Sequence, residues 1–475
     1  MPLKTQENVD NIDNVVLFAK QKKVYPRRVW GRYRKLKWVA MIVLLGIYYI
    51  APWLRWDRGE NAPNQAILID MVHTRGYFFG IEIWPQEVYY LTGILILAAV
   101  SLFFITALFG RVWCGYACPQ TVWTDLFVWV ERIIQGDRNA RKKLDASPLT
   151  ISKIYKKTLT HAIWLLIGVC TGGAWVFYFN DAPTLFEQIV HFHIQWSVGG
   201  WILGLTFSTY LMAGFAREQI CTYVCPYSRF QSAMFDKDTL IISYDDKRGE
   251  PRGKHKAGDS WEGKGHCIDC DSCVVVCPMG IDIRNGLQME CIACGLCVDA
   301  CNIVMDKVGL PQGLIGYNTE TAREQGIKPN LRLLRPRNFW YASIISAVGL
   351  LMLYTLLNRS PLDVSVIHDR NPLFVKLSDG EIRNGYNIHI LNKNHDDKNY
   401  SLEVKGLEKF TVKVQGNQEV PTDNIPVFAD SLGNFRVFIT APKQTDHRTE
   451  IEFVITQKES IISDSKDSIF VSDSK

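Results

Sequence analysis

Three chemistry-bearing signatures are missing from the 475 residues. There is no C-x-x-C-H run, which excludes a covalently attached c-type haem. Walker and Rossmann glycine loops are also absent, so the chain carries no nucleotide, nicotinamide or flavin site of its own. Charge of one sign is scarce: 53 Lys and Arg against 48 Asp and Glu leave +5, too little to bind nucleic acid through bulk charge. With 47% apolar residues and 12% aromatics the chain is not disordered. The first 37 residues are polar and basic without an apolar core, so no cleavable signal peptide is expected.

A mean hydropathy of −0.02 hides long apolar runs. Trp38–Leu54, Val88–Gly110, His161–Phe179, Val198–Ala216 and Phe339–Leu357 contain no Asp, Glu, Lys or Arg. Each is close to the roughly 20 residues that cross a bilayer core. Five spans are therefore expected, with Pro52 blurring the end of the first. The connections orient them. Lys20, Lys22, Lys23, Arg27, Arg28, Arg32, Arg34, Lys35 and Lys37 precede the first span. Arg111, Arg132, Arg138, Arg141, Lys142, Lys143, Lys153, Lys156 and Lys157 follow the second. The first loop has only Arg55, Arg58 and Arg75, and the loop between spans three and four has none. This alternation places the N-terminus and the cysteine-rich region in the cytoplasm and the C-terminus outside. Beside a span, the basic run Arg27–Lys37 reads as a topology determinant held at anionic lipid rather than a nucleic-acid site. Trp123, Phe127, Val130 and Ile134 recur at helical spacing, so Thr121–Ile134 reads as an amphipathic helix on the inner surface, with a core-packed helix as the alternative.

Eight of the thirteen cysteines form a doubled C-x2-C-x2-C-x3-C motif. The first is Cys267, Cys270, Cys273 and Cys277-Pro278, the second Cys291, Cys294, Cys297 and Cys301. In this pattern three thiolates on a tight loop hold one cubane and the fourth ligates the other. Cys267, Cys270, Cys273 and Cys301 are thus expected to bind one [4Fe–4S] cluster, and Cys291, Cys294, Cys297 and Cys277 a second. Gly280 and Gly295 suit turns that aim amides at sulfur. Zinc knuckles, the competing interpretation, give no reason for a three-plus-one pattern. Asn302 stands where a second proline would follow Cys301. The flank Asp245–His266 reads as a flexible linker, and His266 as a loop residue rather than a ligand.

Four further cysteines lie at the inner ends of spans two and four. Phe109-Gly-Arg-Val-Trp-Cys114-Gly-Tyr116-Ala-Cys118-Pro119 and Phe215-Ala-Arg-Glu-Gln-Ile-Cys221-Thr-Tyr223-Val-Cys225-Pro226 share C-x-Y-x-C-P, an internal repeat. If helical, each pair lies one turn apart on one face, and each proline stops or bends the helix. Four soft thiolates suit Cu(I), a further iron–sulfur centre or zinc; paired redox disulfides and inert packing are the other interpretations. Arg111 and Arg217 are expected to favour the thiolate. Cys170 reads as packing only. His191 and His193, in the outer loop, are weighed as copper or haem ligands against interfacial hydrogen bonding, which is preferred, as it is for His73. His161 opens the third span at the inner face.

After the fifth span, Tyr386–Leu391, Tyr400–Val404, Phe410–Val414, Phe435–Thr440 and Ile451–Ile455 alternate apolar and polar residues between turns. They read as a cysteine-free sandwich of immunoglobulin type. From Glu459 the end reads as mobile, with Ile469-Phe-Val471 as a candidate edge strand. The expected fold is a polytopic α-helical membrane protein of five spans with a cytoplasmic ferredoxin-like two-[4Fe–4S] insert and an all-β immunoglobulin-like domain. Its parts are a basic N-terminus (1–37), four membrane helices (38–226), the insert with its linkers (227–337), the fifth helix (338–358) and a periplasmic sandwich (360–475).

The paired C-x-Y-x-C-P motifs, Arg248-Gly-Glu-Pro-Arg-Gly253, Gly265-His-Cys-Ile-Asp-Cys270 and Glu290-Cys-Ile-Ala-Cys294 together resemble the FixG/RdxA/CcoG family over nearly the whole chain. The resemblance implies an accessory protein for assembly of cbb-type cytochrome c oxidase in the bacterial inner membrane. It further implies a cupric reductase that makes Cu(I) for the oxidase or its copper-delivery factors, fed by an unidentified electron donor. Copper then enters as substrate or transient ligand, with Cys114, Cys118, Cys221 and Cys225 as the catalytic, copper-proximal residues. Two alternatives stand beside it: a membrane ferredoxin exchanging electrons with quinone, with a pocket near His161, or with a periplasmic redox partner; and a redox-sensing assembly scaffold. No nucleic acid is expected as a partner, and the lipid bilayer is.

Overall fold

The computed structural model describes residues 23–59, 62–255, 261–327, 332–416, 419–458, 460 and 462–473. The chain forms two compact units, residues 1–54 with 65–349 and residues 55–64 with 350–475, each taken over its described residues.

In the first unit, α1 (Arg32–Ile50) begins inside the basic run, so Arg34 and Lys37 occupy its first turns. β1 (Ile67–Asp70), β2 (Arg75–Phe78) and β3 (Ile81–Ile83) form a small antiparallel sheet in the first loop, which the sequence pattern had not suggested. There follow α2 (Tyr89–Phe109), α3 (Val112–Tyr116), α4 (Pro119–Gln135), α5 (Arg138–Ala146) and α6 (Ile151–Phe177). α7 (Ala182–Val190) and α8 (Trp196–Gly214) lead through a short α9 (Arg217–Gln219) and a π-turn, Ile220–Val224, into α10 (Pro226–Ala233). The insert contains β4 (Ile241–Tyr244), α11 (Asp246–Gly249), α12 (Ser272–Val276), α13 (Leu296–Lys307), β5 (Ile315–Asn318) and α14 (Glu320–Gln325). β4 and β5 pair antiparallel beneath the cysteine loops. α15 (Pro336–Leu357) closes the helical series.

Among the described residues, four helices, carrying Arg32–Trp53, Pro85–Phe109, Ile151–Phe177 and Pro336–Leu357, are long and apolar enough to cross a membrane. A fifth is added if Trp196–Gly214 and Arg217–Val224, bent by 96°, count as one span. α6 starts ten residues before the expected His161, because Thr150 caps it through the Lys153 amide. α4 does not lie free on a surface. Its apolar face packs Phe127 and Val130 against Trp164 of α6 and Ala213 of α8, so the core-packed alternative holds.

The second unit is a sandwich. One sheet runs β11 (Glu419–Val420), β10 (Thr411–Gln415), β13 (Ser431–Ala441), β8 (Ile382–Asn392), β6 (Leu362–His368), with β7 (Val375–Lys376) also on β8. The other runs β12 (Ile425–Val427), β9 (Lys398–Lys405), β14 (Arg448–Gln457), β15 (Ser463–Val471). Alternate residues of β8, including Tyr386, Ile388 and Ile390, face Tyr400, Phe453, Ile455 and Phe470 in a closed core. Every expected strand lies within one of these, Phe410 alone falling just before β10. The end is not loose: β15 zips along β14 from Arg448↔Val471 to Thr456↔Ser463, while Glu459 lies outside the described residues.

Candidate functional site

The two cysteine motifs fold as local copies. Asp269 and Asp271 have φ 52° and 54°, and Ala293 and Gly295 have φ 51° and 75°, so each loop turns left-handed just before and just after its second cysteine. Such turns aim successive amides into one concavity, a nest for negative charge. Gly280 and Gly295 take the positive φ expected of them; the left-handed aspartates carried no sequence signal. The Cys277 thiol receives the Met279 and Ile281 amides, Cys291 that of Ala293, and Cys273 that of Val274.

The fourth cysteine of each motif crosses over. Cys301, on α13, interacts electrostatically with Cys273, Cys267 and Cys270, and these four line one cavity. Cys277, just after α12, interacts with Cys294 and Cys291, and Cys297 with Cys294, Cys291 and Cys277. Cys277, Cys291, Cys294 and Cys297 line a second cavity, which Cys273 also borders. Burial pushes the Cys273 and Cys291 thiols up to about 11 and those of Cys277 and Cys301 up to about 12. A coordinated metal supplies the positive charge that lets such thiols ionise. Two four-thiol cavities with inward amides, the first open at Cys270, fit two cubane clusters.

The C-x-Y-x-C-P cysteines do not lie on one helical face. Cys114 is within α3, whereas Cys118 is extended (φ −61°, ψ 126°) and precedes Pro119 at the start of α4. Cys221 is in the π-turn, and Cys225 is extended before Pro226 at the start of α10. In each half the proline opens a new helix where its missing N–H costs nothing. The halves nonetheless converge: Cys114 interacts with Cys118, Cys221 and Cys225, and Cys221 with Cys118 and Cys225. Burial outweighs Arg111 here and pushes the Cys114 thiol up to about 12, contrary to the expected thiolate. The Arg217 guanidinium is instead engaged by Glu131 at 2.8 Å.

This third quartet is seated on the second cysteine loop. At Gly115 an added Cβ would lie 2.7 Å from the Ile292 carbonyl oxygen and 3.0 Å from Cys294 Cα, so only glycine allows the approach. The Tyr116 hydroxyl donates to the Cys294 carbonyl at 3.0 Å, and Arg111 reaches the Met289 carbonyl. Cys114 shares a core with Val276, Ile292, Cys294 and Leu296. The three quartets therefore follow in sequence: Cys301's set, Cys277's set, then the paired-motif set.

Buried charges brace the joint. Asp299 of α13 accepts the Tyr33 and Arg34 amides at 3.2 and 2.8 Å, capping α1. Asp125 receives both Arg34 bonds at 2.9 Å. Burial alone would raise its carboxyl; Lys37 and Arg34 hold it below the ordinary range. Glu131 joins Arg141 (2.9 Å) and Arg217 (2.8 Å) in the same manner.

Other expected residues lie elsewhere. His191 and His193 are exposed at the end of α7. His73 pairs with Asp70 at 2.6 Å. His161 is packed by Trp164, Tyr210 and Phe215 and meets the Tyr210 hydroxyl at 3.0 Å. Cys170 is on the exposed side of α6 rather than packed inside. The supposed linker is structured over its described part: Arg248 donates to His266 Nδ1 at 2.8 Å and to the Gln312 carbonyl at 3.0 Å.

Residues 216–320 match the 4Fe-4S dicluster domain family, residues 91–136 a 4Fe-4S binding domain, and residues 352–473 the immunoglobulin-like fold at the C-terminus of FixG. The nitrogen fixation protein FixG of Rhizobium meliloti is 47% identical over 460 residues, 90% of this chain and 88% of that protein. The chain belongs to the FixG/RdxA family. Protein RdxA of Cereibacter sphaeroides is also 47% identical, over 91% of this chain and 92% of its own. The crystal structure of a FixG-related protein from Vibrio parahaemolyticus is 29% identical over 24% of this chain and 97% of that one, with a TM-score of 0.21. As a member of this family the chain is an iron–sulfur, ferredoxin-type electron-transfer protein with several membrane-type helices.

Proposed function

We propose that this protein is a cupric reductase of the bacterial inner membrane, reducing Cu(II) to Cu(I) for assembly of a cbb-type cytochrome c oxidase. The observation that carries this is the docking of the Cys114, Cys118, Cys221 and Cys225 quartet onto the Ile292–Cys294 backbone. Cys267, Cys270, Cys273 and Cys301 hold one [4Fe–4S] cluster and Cys277, Cys291, Cys294 and Cys297 the other. When bound, these clusters supply one-electron transfer. Gly115, Tyr116 and Arg111 fix the quartet against the loop. Cys114, Cys118, Cys221 and Cys225 bind Cu(II), which takes one electron originating from a cytoplasmic donor and becomes Cu(I). Soft thiolates favour that state. Lys and Arg beside the inner helix ends orient the chain with this machinery in the cytoplasm and the sandwich in the periplasm, where it meets the oxidase or its copper-delivery factors.

A second reading has one observation in its favour: residues 91–136, with Cys114 and Cys118, match a 4Fe-4S binding domain. The quartet is then a further iron–sulfur site, and electrons leave to a quinone or periplasmic partner. Anaerobic titration of pre-reduced, detergent-purified protein with Cu(II) separates the two. Copper reduction requires stoichiometric Cu(I), trapped by a chelator, and cluster reoxidation that is lost in Cys114→Ala/Cys118→Ala. Clusters that stay reduced with copper but are reoxidised by a quinone overturn it.

A further inference from the structure

Gln231 is fully buried in α10, in the second half of the repeat, yet it serves the first half. Its Oε1 lies 3.1 Å from Cys114 Sγ, which donates to it. Its Nε2 donates to Thr106 Oγ1 at 3.2 Å. Thr106 is also fully buried; its hydroxyl donates to the Leu102 carbonyl at 2.8 Å and meets the Tyr227 hydroxyl at 2.8 Å. The Tyr227 hydroxyl in turn reaches the same Leu102 carbonyl at 3.2 Å.

The donor inventory makes this network reversible. A thiol donates its S–H, whereas a sulfur bound to metal is an acceptor only. With Cys114 as a ligand, Oε1 would face a sulfur lone pair. Turning the Gln231 amide over brings Nε2–H to sulfur and Oε1 to Thr106. Thr106 can then donate to Oε1, because the Leu102 carbonyl retains the Tyr227 hydroxyl. In both arrangements the Gln231 oxygen, the Thr106 hydroxyl and the Leu102 carbonyl each keep a hydrogen-bond partner. An N–H bond to a ligating sulfur withdraws electron density from the centre and favours its reduced state.

We propose that Gln231 is a positioning residue for the paired-motif site, accepting from Cys114 in the metal-free protein and donating to its sulfur once metal is bound, thereby favouring the reduced metal. This rests on the reading of Cys114 as a metal ligand, whether of copper or of an iron–sulfur centre. The test is redox titration of metal-loaded full-length protein, wild type against Gln231→Leu and Thr106→Val, with the metal content of each measured first. In Gln231→Leu the reduced-to-oxidised ratio of the paired-motif site should fall about tenfold at fixed potential, equal to 59 mV for one electron. Titration of the Cys267–Cys301 clusters should be unchanged. Thr106→Val, which keeps the amide but removes the hydroxyl that donates to Oε1, should shift in the same direction by less. The metal–sulfur stretch should shift in D2O in wild type and not in Gln231→Leu. An unchanged ratio in both metal-replete variants overturns the role of Gln231 alone. A paired-motif site that loads metal as well in Cys114→Ala as in wild type overturns both the ligand reading and the inference.

Discussion

Crossed ligation makes a prediction that one cluster per motif does not share. Cys277 follows the first loop in sequence but lies with Cys291 and Cys294, and Cys301 follows the second but lies with Cys267, Cys270 and Cys273. Two filled quartets hold about eight irons, four to each. In Cys277→Ala/Cys291→Ala both changes fall on one quartet, so about four irons should remain. In Cys273→Ala/Cys277→Ala each quartet loses a ligand, and iron should approach none. If each motif instead served its own cluster, the two outcomes would be exchanged. The assay is iron per chain on anaerobically purified protein carrying Cys114→Ala/Cys118→Ala in every sample, with low-temperature EPR of the dithionite-reduced forms. In wild-type quartets the reduced spectrum should show two interacting centres, because Cys273 borders both cavities; in Cys277→Ala/Cys291→Ala it should simplify to one. Full retention of four irons by Cys273→Ala/Cys277→Ala would refute the reasoning.

Glu131→Gln should destabilise the full chain by about 3–5 kcal/mol, since two buried guanidinium groups lose their carboxylate; a thermal shift matching that of an exposed substitution would count against it. Burial would raise the Glu131 carboxyl, but Arg217 and Arg141 hold it lower, so its contribution is complete above the unfolded value, about 4.3, and is lost as pH falls through the lower folded value. The melting difference between wild type and Glu131→Gln should therefore be flat from neutral pH to about 5.5 and narrow below about 4. Gly115→Ala should overpack the joint by about 1–3 kcal/mol and slow cluster reoxidation by Cu(II) at unchanged iron content. Wild-type kinetics in that variant would show that the quartet receives its electrons by another route.

Much of this was legible in the sequence because the relevant chemistry is local. Cysteine spacing determines which thiols share a loop, and runs without charge determine which helices can enter lipid. Period-two alternation named strands such as Tyr386–Leu391 because each strand is buried on one side only. Where the structure differs, the cause is a partner distant in sequence. Thr121–Ile134 has the pattern of a surface helix, and only the presence of Trp164 and Ala213 against Phe127 and Val130 makes it part of a core. Arg217 looked like a thiol activator until Glu131, 86 residues away, took its charge. Gln231 offered no signal, since a lone glutamine on a short helix is ordinary until it is found buried against Cys114.

Residue type and spacing alone carry the inventory: two cluster motifs, a duplicated thiol pair, apolar helices and a sandwich. Each of those is written in residue type at short spacing, where backbone geometry leaves little choice. Their order in space comes from packing between distant segments, because three quartets become a sequence of neighbours only when α3 is pressed against Ile292–Cys294. That contact depends on the absence of a Cβ at Gly115 and on a carboxylate of α13 capping α1, relations between segments that no local pattern encodes.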